Sequence, residues 1–96
     1  TSHDFIEWCG LIAGHQKNDK LRFEERLIMQ DLYFDFIGEY PDYAPKAKMT
    51  ISRTRFYRWL IAYGNFMCND VDEGRDSNGR WFTMNKPRPT QTSMDL

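Results

Sequence analysis

Three arginines lie close together in the segment Met49–Tyr63, which reads Met-Thr-Ile-Ser-Arg-Thr-Arg-Phe-Tyr-Arg-Trp-Leu-Ile-Ala-Tyr. A guanidinium group is permanently charged and offers a planar fork of N–H donors, so Arg53, Arg55 and Arg58 suit the binding of phosphate oxygens. No acidic residue occurs in the stretch 46–69 that could neutralise them. This composition indicates an anionic partner, and the alternative is that the arginines form only a solvated face.

The segment itself predicts a short amphipathic helix that begins after Ser52 and ends at Gly64, because the Ser52 hydroxyl can accept a hydrogen bond from a first-turn amide. One predicted face carries Phe56, Trp59, Leu60 and Tyr63, and the other carries Thr54, Arg55, Tyr57, Arg58, Ile61 and Ala62. A cation at the N-terminal end of a helix typically costs about 0.3 to 1 kcal/mol. Arg53 and Arg55 therefore oppose the stability of their own helix, unless an anion binds there.

Further basic residues flank this helix, namely Lys46, Lys48, Arg75 and Arg80. The polar stretch 69–80 lies between two short apolar runs, 66–68 and 81–84, which we expect to be strands. Asn78-Gly79 is a strong signal for a β-hairpin. The sequence therefore predicts a β-wing that carries Arg75 and Arg80.

Other residue types that could carry chemistry do not form a recognisable set. Glu24, Glu25, Asp31 and Asp35 are spaced like the solvated face of a helix, and Cys9, Cys68, His3 and His15 lack the spacing of a metal site. The acidic loop after Cys68 does not match a calcium-binding loop. A hydrolytic function lacks a nucleophile and a base placed together, and His15 is expected at the surface. We predict no catalytic residue, no metal and no cofactor.

Upstream of the arginines, Ser2 can cap a short helix with Phe5, Trp8, Cys9 and Ile12 on one side. The stretch 15–20 is predicted to be a loop, 21–39 the longest helix, 40–48 a stiff connection and 49–51 a first short strand. The predicted fold class is therefore α+β, mostly helical, as a winged helix-turn-helix of about three helices and a C-terminal β-hairpin wing. We expect a winged-helix domain over 21–84 and a flexible tail over 85–96, with 1–20 either part of the domain or the tail of a preceding one.

The chain has 96 residues, enough for one domain, and begins with Thr, which suggests a segment of a longer protein. Its net charge of -1 is unevenly distributed. Residues 1–45 hold four basic and nine acidic side chains, a net -5, and residues 46–96 hold nine basic and five acidic ones, a net +4. Such asymmetry points to polyanion binding by the second half. Nothing resembles a signal peptide or a membrane span, and the two cysteines suit a reducing compartment.

The order of elements and several short motifs resemble a known family. The motifs are Tyr33-x-x-Phe36 with Tyr40-Pro41, then Thr50-Ile51-Ser52-Arg53-Thr54-Arg55-Phe56-x-x-Trp59-Leu60-x-x-Tyr63, then Gly74-Arg75 and Gly79-Arg80-Trp81-Phe82. Together they are similar to the C-terminal winged-helix region of phage and mobile-element primase–helicases. Those proteins carry a superfamily 3 helicase or related ATPase core, as in the poxvirus-type and virulence-associated-E-type enzymes. The resemblance implies a DNA-docking module of a replication enzyme in a bacterial or phage-infected cytoplasm. The chain has no Gly-x-x-x-x-Gly-Lys motif, so an ATPase would lie outside it.

Two functions follow from these patterns. The first is binding to duplex or fork DNA, with Thr54, Arg55, Tyr57 and Arg58 towards bases or phosphates, Lys46, Lys48 and Arg53 on the backbone, and Arg75 and Arg80 along an adjacent groove. The second is a protein-interaction module that contacts other domains or subunits of the parent enzyme. Its expected anchors are the aromatic residues Tyr40, Tyr43, Tyr57 and Trp81.

Overall fold

The computed structural model describes residues 2–12 and 17–86. In chain order its elements are α1 (His3–Trp8), β1 (Leu27–Ile28), α2 (Met29–Glu39), a 3-10 turn (Pro41–Tyr43), α3 (Arg53–Met67), β2 (Val71–Asp76) and β3 (Gly79–Met84). The strands form an antiparallel sheet in the order β1-β3-β2. The fold class is thus α+β with a winged-helix-like arrangement, as predicted. His15 and most of the predicted tail lie outside the described residues.

A cluster of aromatic rings joins the three helices. Phe36 of α2 and Phe56 of α3 are fully buried, and their rings stack with centroids 5.3 Å apart. Phe5 and Trp8 of α1 meet both of these rings edge-on, at 5.6 to 6.1 Å. Aromatic side chains bury a large apolar area in such arrangements, so α1 shares one core with α2 and α3.

Helix α3 buries two faces rather than one. Phe56, Leu60 and Tyr63 face the aromatic cluster, as predicted, and Trp59 is half-buried beside Phe5. Tyr57, Ile61 and Gly64 follow at spacings of four and three, and form a second packed face towards β2 and β3. A Cβ atom at Gly64 would lie 3.2 Å from Val71 and 3.4 Å from Phe82. The helix therefore leaves only a narrow strip exposed.

The longest predicted helix, 21–39, is wrong in its first part. Leu27 and Ile28 form β1, which pairs with Phe82 and Trp81 of β3, and α2 begins only at Met29. Glu24 adopts φ 61° and its amide donates to the Met84 carbonyl at 2.7 Å. The apolar residues before α2 pack along the sheet, because backbone pairing with β3 replaces helical hydrogen bonds there.

The predicted first strand at 49–51 is also wrong. The amides of Met49 and Ile51 donate to the carbonyls of Asp42 and Tyr43, at 2.9 and 3.2 Å, so this piece is held against the 3-10 turn. Ile51 is buried as expected, and its carbonyl accepts from the Tyr33 hydroxyl at 3.2 Å. The third strand of the sheet is supplied by β1 instead.

Two further boundaries differ from prediction. Gly64 does not end α3, which continues to Met67, so residues 66 and 67 of the expected strand at 66–68 are helical and only Cys68 is extended. The polar stretch after it is not a loop, because most of it forms β2, and Ser77 and Asn78 connect β2 to β3. The hairpin itself is confirmed, with Gly79 at φ 113° directly after the turn.

At the other end of the chain, α1 stops at Trp8 and does not reach Ile12. Its N-cap is Ser2 as predicted, and the Ser2 hydroxyl accepts from the Phe5 amide at 3.0 Å. Gly10 takes φ 80°, a left-handed conformation that glycine adopts readily and that ends helices.

Replacing Gly38 with alanine is expected to stabilise the chain by up to about 1 kcal/mol. Gly38 lies within α2, and nothing approaches within 4 Å of the position its Cβ would take, so alanine lowers the entropic cost of the helix without a clash. Urea unfolding of both proteins measures the change. Gly79→Ala is the matched control and should destabilise, because φ 113° is strained for alanine; equal effects of the two substitutions would contradict this account.

Stability is expected to fall in alkali. Burial raises the pKa of the Cys9 thiol from 9.0 to about 12 and that of the Tyr63 hydroxyl from 10.0 to about 12. Burial and the hydrogen bond to Glu7 raise the pKa of Tyr40 from 10.0 to about 12. The unfolded chain would release these protons from about pH 9 and the folded chain only near about pH 12, so stability is full below pH 9 and declines between these values. Urea midpoints across this range measure the decline, and a flat profile would count against it.

Candidate nucleic-acid interface

The exposed strip of α3 begins at the N-terminal end of the helix. Arg53, Thr54, Arg55 and Arg58 are all exposed. The Ser52 hydroxyl accepts from the Arg55 amide at 3.1 Å, so the predicted cap is present, and the first turn contains no acidic residue. Thr54, Arg55 and Arg58 lie on this strip, whereas Arg53 begins the helix beside Gln30 and Phe34 of α2.

The arginines of α3 keep their charge uncompensated. Within residues 2–12 and 17–86, Arg53, Arg55 and Arg58 form no salt bridge with any carboxylate. Arg53 instead donates from Nη1 to the Gln30 Oε1 at 3.1 Å. The three guanidinium groups are therefore available to an external anion.

Basic residues of the N-terminal half behave differently. Lys20 pairs with Asp35 at 3.3 Å, Arg22 with Glu25 at 3.0 Å and Arg26 with Asp76 at 3.1 Å. Each of these cations already has an intramolecular partner. Apart from Lys17, the cations without a carboxylate partner in the described ranges belong to the second half, which is also the basic half of the sequence.

Lys46 and Lys48 lie in the connection that leads into α3. Both are exposed, and Lys46 takes φ 69°. Neither forms a salt bridge in the part of the chain that the structure describes. The two lysines that were predicted to contact the DNA backbone thus precede the arginines of α3 in the sequence and carry uncompensated charge.

Side chains alternate between the two faces of the wing, and Arg75 and Arg80 lie on the face that packs against α3. Arg75 pairs across the strands with Arg80, two residues from the buried Phe82, and alternate residues of a strand share one face. The Arg80 guanidinium lies 5.2 Å from the centroid of the Tyr57 ring and 3.6 Å from Glu73 Oε1. Arg80 therefore connects the wing to α3, while Arg75 stays without a carboxylate partner among the described residues.

The acidic residues of the wing divide between its two faces. Glu73 shares the face of Arg80, but Asp72 and Asp76 alternate to the opposite face. There Arg26 pairs with Asp76 and lies 4.0 Å above the Trp81 ring. This cluster was missed by sequence reasoning, because Arg26 and Asp76 are fifty positions apart and share no local motif.

Trp81 also restricts the residue opposite it in the hairpin. A Cβ atom at Gly74 would lie 2.7 Å from the Trp81 ring. The ring therefore covers the backbone of β2 at Gly74 and leaves no room for a side chain there. Gly74, which was noted only as part of a Gly-Arg pair, is required by this close approach.

Tyr57 was predicted to contact DNA or a protein partner, but the structure buries it. Its side chain is only 8% exposed, because α3 packs this position against the sheet, and its ring is covered by Arg80. Tyr43 is buried as well, and its hydroxyl donates to Asp4 Oδ2 at 3.0 Å. The predicted aromatic interaction surface therefore loses Tyr43 and Tyr57, while Tyr40 and Trp81 remain half-buried.

Acidic groups of the N-terminal half gather where α1 meets the end of α2. Tyr40 donates to Glu7 Oε1 at 3.1 Å. Burial, followed by the charge of Asp35, raises the pKa of Glu39. Carboxylates thus lie near one another on this side, which makes it unsuited to a polyanion and leaves the arginine strip as the favourable surface.

Groups of three or more potential metal ligands do not occur in the described ranges. Across the same ranges, no helix combines the length and the apolar character needed to cross a membrane. Comparisons with protein-family models, curated proteins and solved structures gave no match. The functional assignment therefore depends on the residues of this chain.

Proposed function

We propose that this chain is a DNA-binding winged-helix module that docks on duplex or fork DNA through α3. The observation that carries the proposal is the exposed, unpaired set of Arg53, Arg55 and Arg58. A helix selected for stability alone would have an acid in its first turn, and α3 has none. Phosphates would compensate these cations and satisfy the free amides beside them.

Each basic group has a role in this binding mode. Thr54, Arg55 and Arg58 project from the exposed strip of α3 towards the major groove, and a recognition helix in such folds contacts bases there. Lys46, Lys48 and Arg53 contact the sugar-phosphate backbone. Arg75 and Arg80 follow an adjacent groove. Tyr57 supports Arg80 through the ring contact rather than reading bases.

The parent protein would be a replication enzyme of a phage or mobile element, of the primase–helicase kind, acting in the cytoplasm of a bacterial or phage-infected cell. The motif resemblance in α3 and the wing supports this assignment. The module would hold the enzyme on its substrate, and we assign no catalytic step to its residues.

Salt dependence tests the proposal. Fluorescence anisotropy of a labelled duplex, titrated with the protein at two salt concentrations, should give a slope of about -4 to -5 in log affinity against log salt, as expected for about five neutralised phosphates. Absence of duplex binding, or binding that is indifferent to salt, would overturn the proposal.

An apolar groove supports the second candidate function, a protein-interaction module for other domains or subunits of the parent enzyme. This groove lies between α1 and α3 and is lined by Phe5, Ile6, Leu11, Trp59, Ala62, Tyr63 and Phe66. Leu11 is 40% exposed and Phe66 67%, and apolar side chains of this kind anchor protein interfaces. Light scattering of the isolated chain, with and without DNA, separates the candidates: self-association without any DNA binding favours the second.

A further inference from the structure

Phe34 is an exposed aromatic residue on α2. Its side chain is 47% exposed, whereas the neighbouring Tyr33 and Phe36 are buried at 3% and 0%. Single exposed apolar residues are common on protein surfaces. The exposure of Phe34 becomes informative only through what lies beside it.

The guanidinium of Arg53 lies over one face of this ring. Its guanidinium carbon is 5.1 Å from the centroid of Phe34 and 5.7 Å from that of Tyr33. Its Nη1 donates to Gln30 Oε1 at 3.1 Å, and throughout the described ranges no carboxylate pairs with it. The cation is therefore positioned by neutral groups and keeps N–H donors for an anion, which lowers the entropy lost on binding.

An exposed aromatic ring next to a fixed cation suits the binding of one nucleotide, which has a planar base and an anionic phosphate. The ring face that Arg53 does not cover stacks on a base, and the guanidinium pairs with the adjoining phosphate. Bases within a duplex are already stacked on one another and offer no free face, so the ligand must be an unpaired base. Since Arg53 is also the first residue of α3, such a base would lie next to a duplex bound by that helix.

We propose that Phe34 and Arg53 bind the first unpaired nucleotide where single-stranded DNA joins the duplex held by α3. This inference rests on the proposed DNA-binding function and specifies the substrate as a junction rather than a blunt duplex. The site is short, because the exposed carboxylate of Asp31 lies one turn earlier on α2 and repels further phosphates.

The test compares a blunt duplex with the same duplex carrying a short single-stranded overhang, in anisotropy titrations of the full chain. The wild type should bind the overhang probe about 5- to 150-fold more tightly, the range expected for one stacked base. Phe34→Ala should remove this preference and change blunt-duplex affinity by less than about twofold, because paired bases do not reach Phe34. Phe34→Trp should retain the preference, since indole also stacks.

Phe66→Ala is the matched control, the same substitution at an exposed phenylalanine on α3, and should leave the preference intact. A fluorescent 2-aminopurine at the first overhang position should be quenched by the wild type and not by Phe34→Ala. Equal affinity of the wild type for both probes, or equal losses by Phe34→Ala on both, would overturn the junction site alone. Failure of the wild type to bind either probe would instead overturn the proposed function.

Discussion

Changing Arg55 and Arg58 together to alanine should weaken duplex binding by about 100-fold. Each guanidinium is exposed, lacks a carboxylate partner in the described residues and would form a charge-assisted hydrogen bond to phosphate or base, worth about tenfold in affinity. Each of the two arginines that neutralises a phosphate adds about 1 to the steepness of the salt dependence, so the steepness should fall by up to about 2. Anisotropy titrations at several salt concentrations measure both quantities.

A charge-matched control separates a local effect from a change in net charge. Lys17 and Lys20 line a groove with Glu7 and Glu39 and are not among the residues assigned to duplex contacts, and Lys17→Ala with Lys20→Ala removes the same number of positive charges. That pair should reduce binding by less than about threefold, because its lysines contact no phosphate. Equal losses in the two double variants, at equal thermal stability, would show that α3 has no special role.

Replacing Phe56 with alanine should cost about 3 to 5 kcal/mol of unfolding free energy. Phe56 is fully buried, and its ring lies within 5.3 to 5.8 Å of the rings of Phe5, Trp8, Tyr33 and Phe36. The substitution leaves a cavity where all three helices meet. Since a chain of this size has a total stability of about 5 to 14 kcal/mol, a large part of it would be lost.

Urea unfolding followed by circular dichroism measures this cost. Phe56→Leu should lose less than the alanine variant, because leucine fills part of the space. Phe66→Ala removes the same atoms from a side chain that is 67% exposed and should change stability by less than about 1 kcal/mol. If the alanine variants at positions 56 and 66 were equally stable, the aromatic cluster could not be the core of the fold.

The features that local chemistry determines were predictable from the sequence. Ser52 as a cap, the apolar positions 56, 60 and 63 and the hairpin around Asn78 all depend on residues within a few positions of one another. The uncompensated charge of α3 was also foreseeable, because the sequence around it contains no acid. Periodicity and turn chemistry carry this information directly.

Features that depend on distant partners were not predictable in the same way. β1 has only two residues and exists because it pairs with β3, more than fifty positions later. Gly64 resembles a helix end in sequence, but it lies within α3, where a Cβ atom would come within 3.2 Å of Val71 and 3.4 Å of Phe82. Tyr57 was misplaced because α3 packs on the sheet as well as on the helices, and a single apolar stripe does not show a second partner.

The strand β2 lies at one edge of the sheet, and its outer backbone groups have no strand partner in the described structure. Open edges of this kind invite pairing with a second molecule and are a common origin of aggregation. Charged side chains occupy most of β2, at Asp72, Glu73, Arg75 and Asp76. Edge charges disfavour strand addition, so molecules at high concentration should stay separate rather than joining into intermolecular sheets.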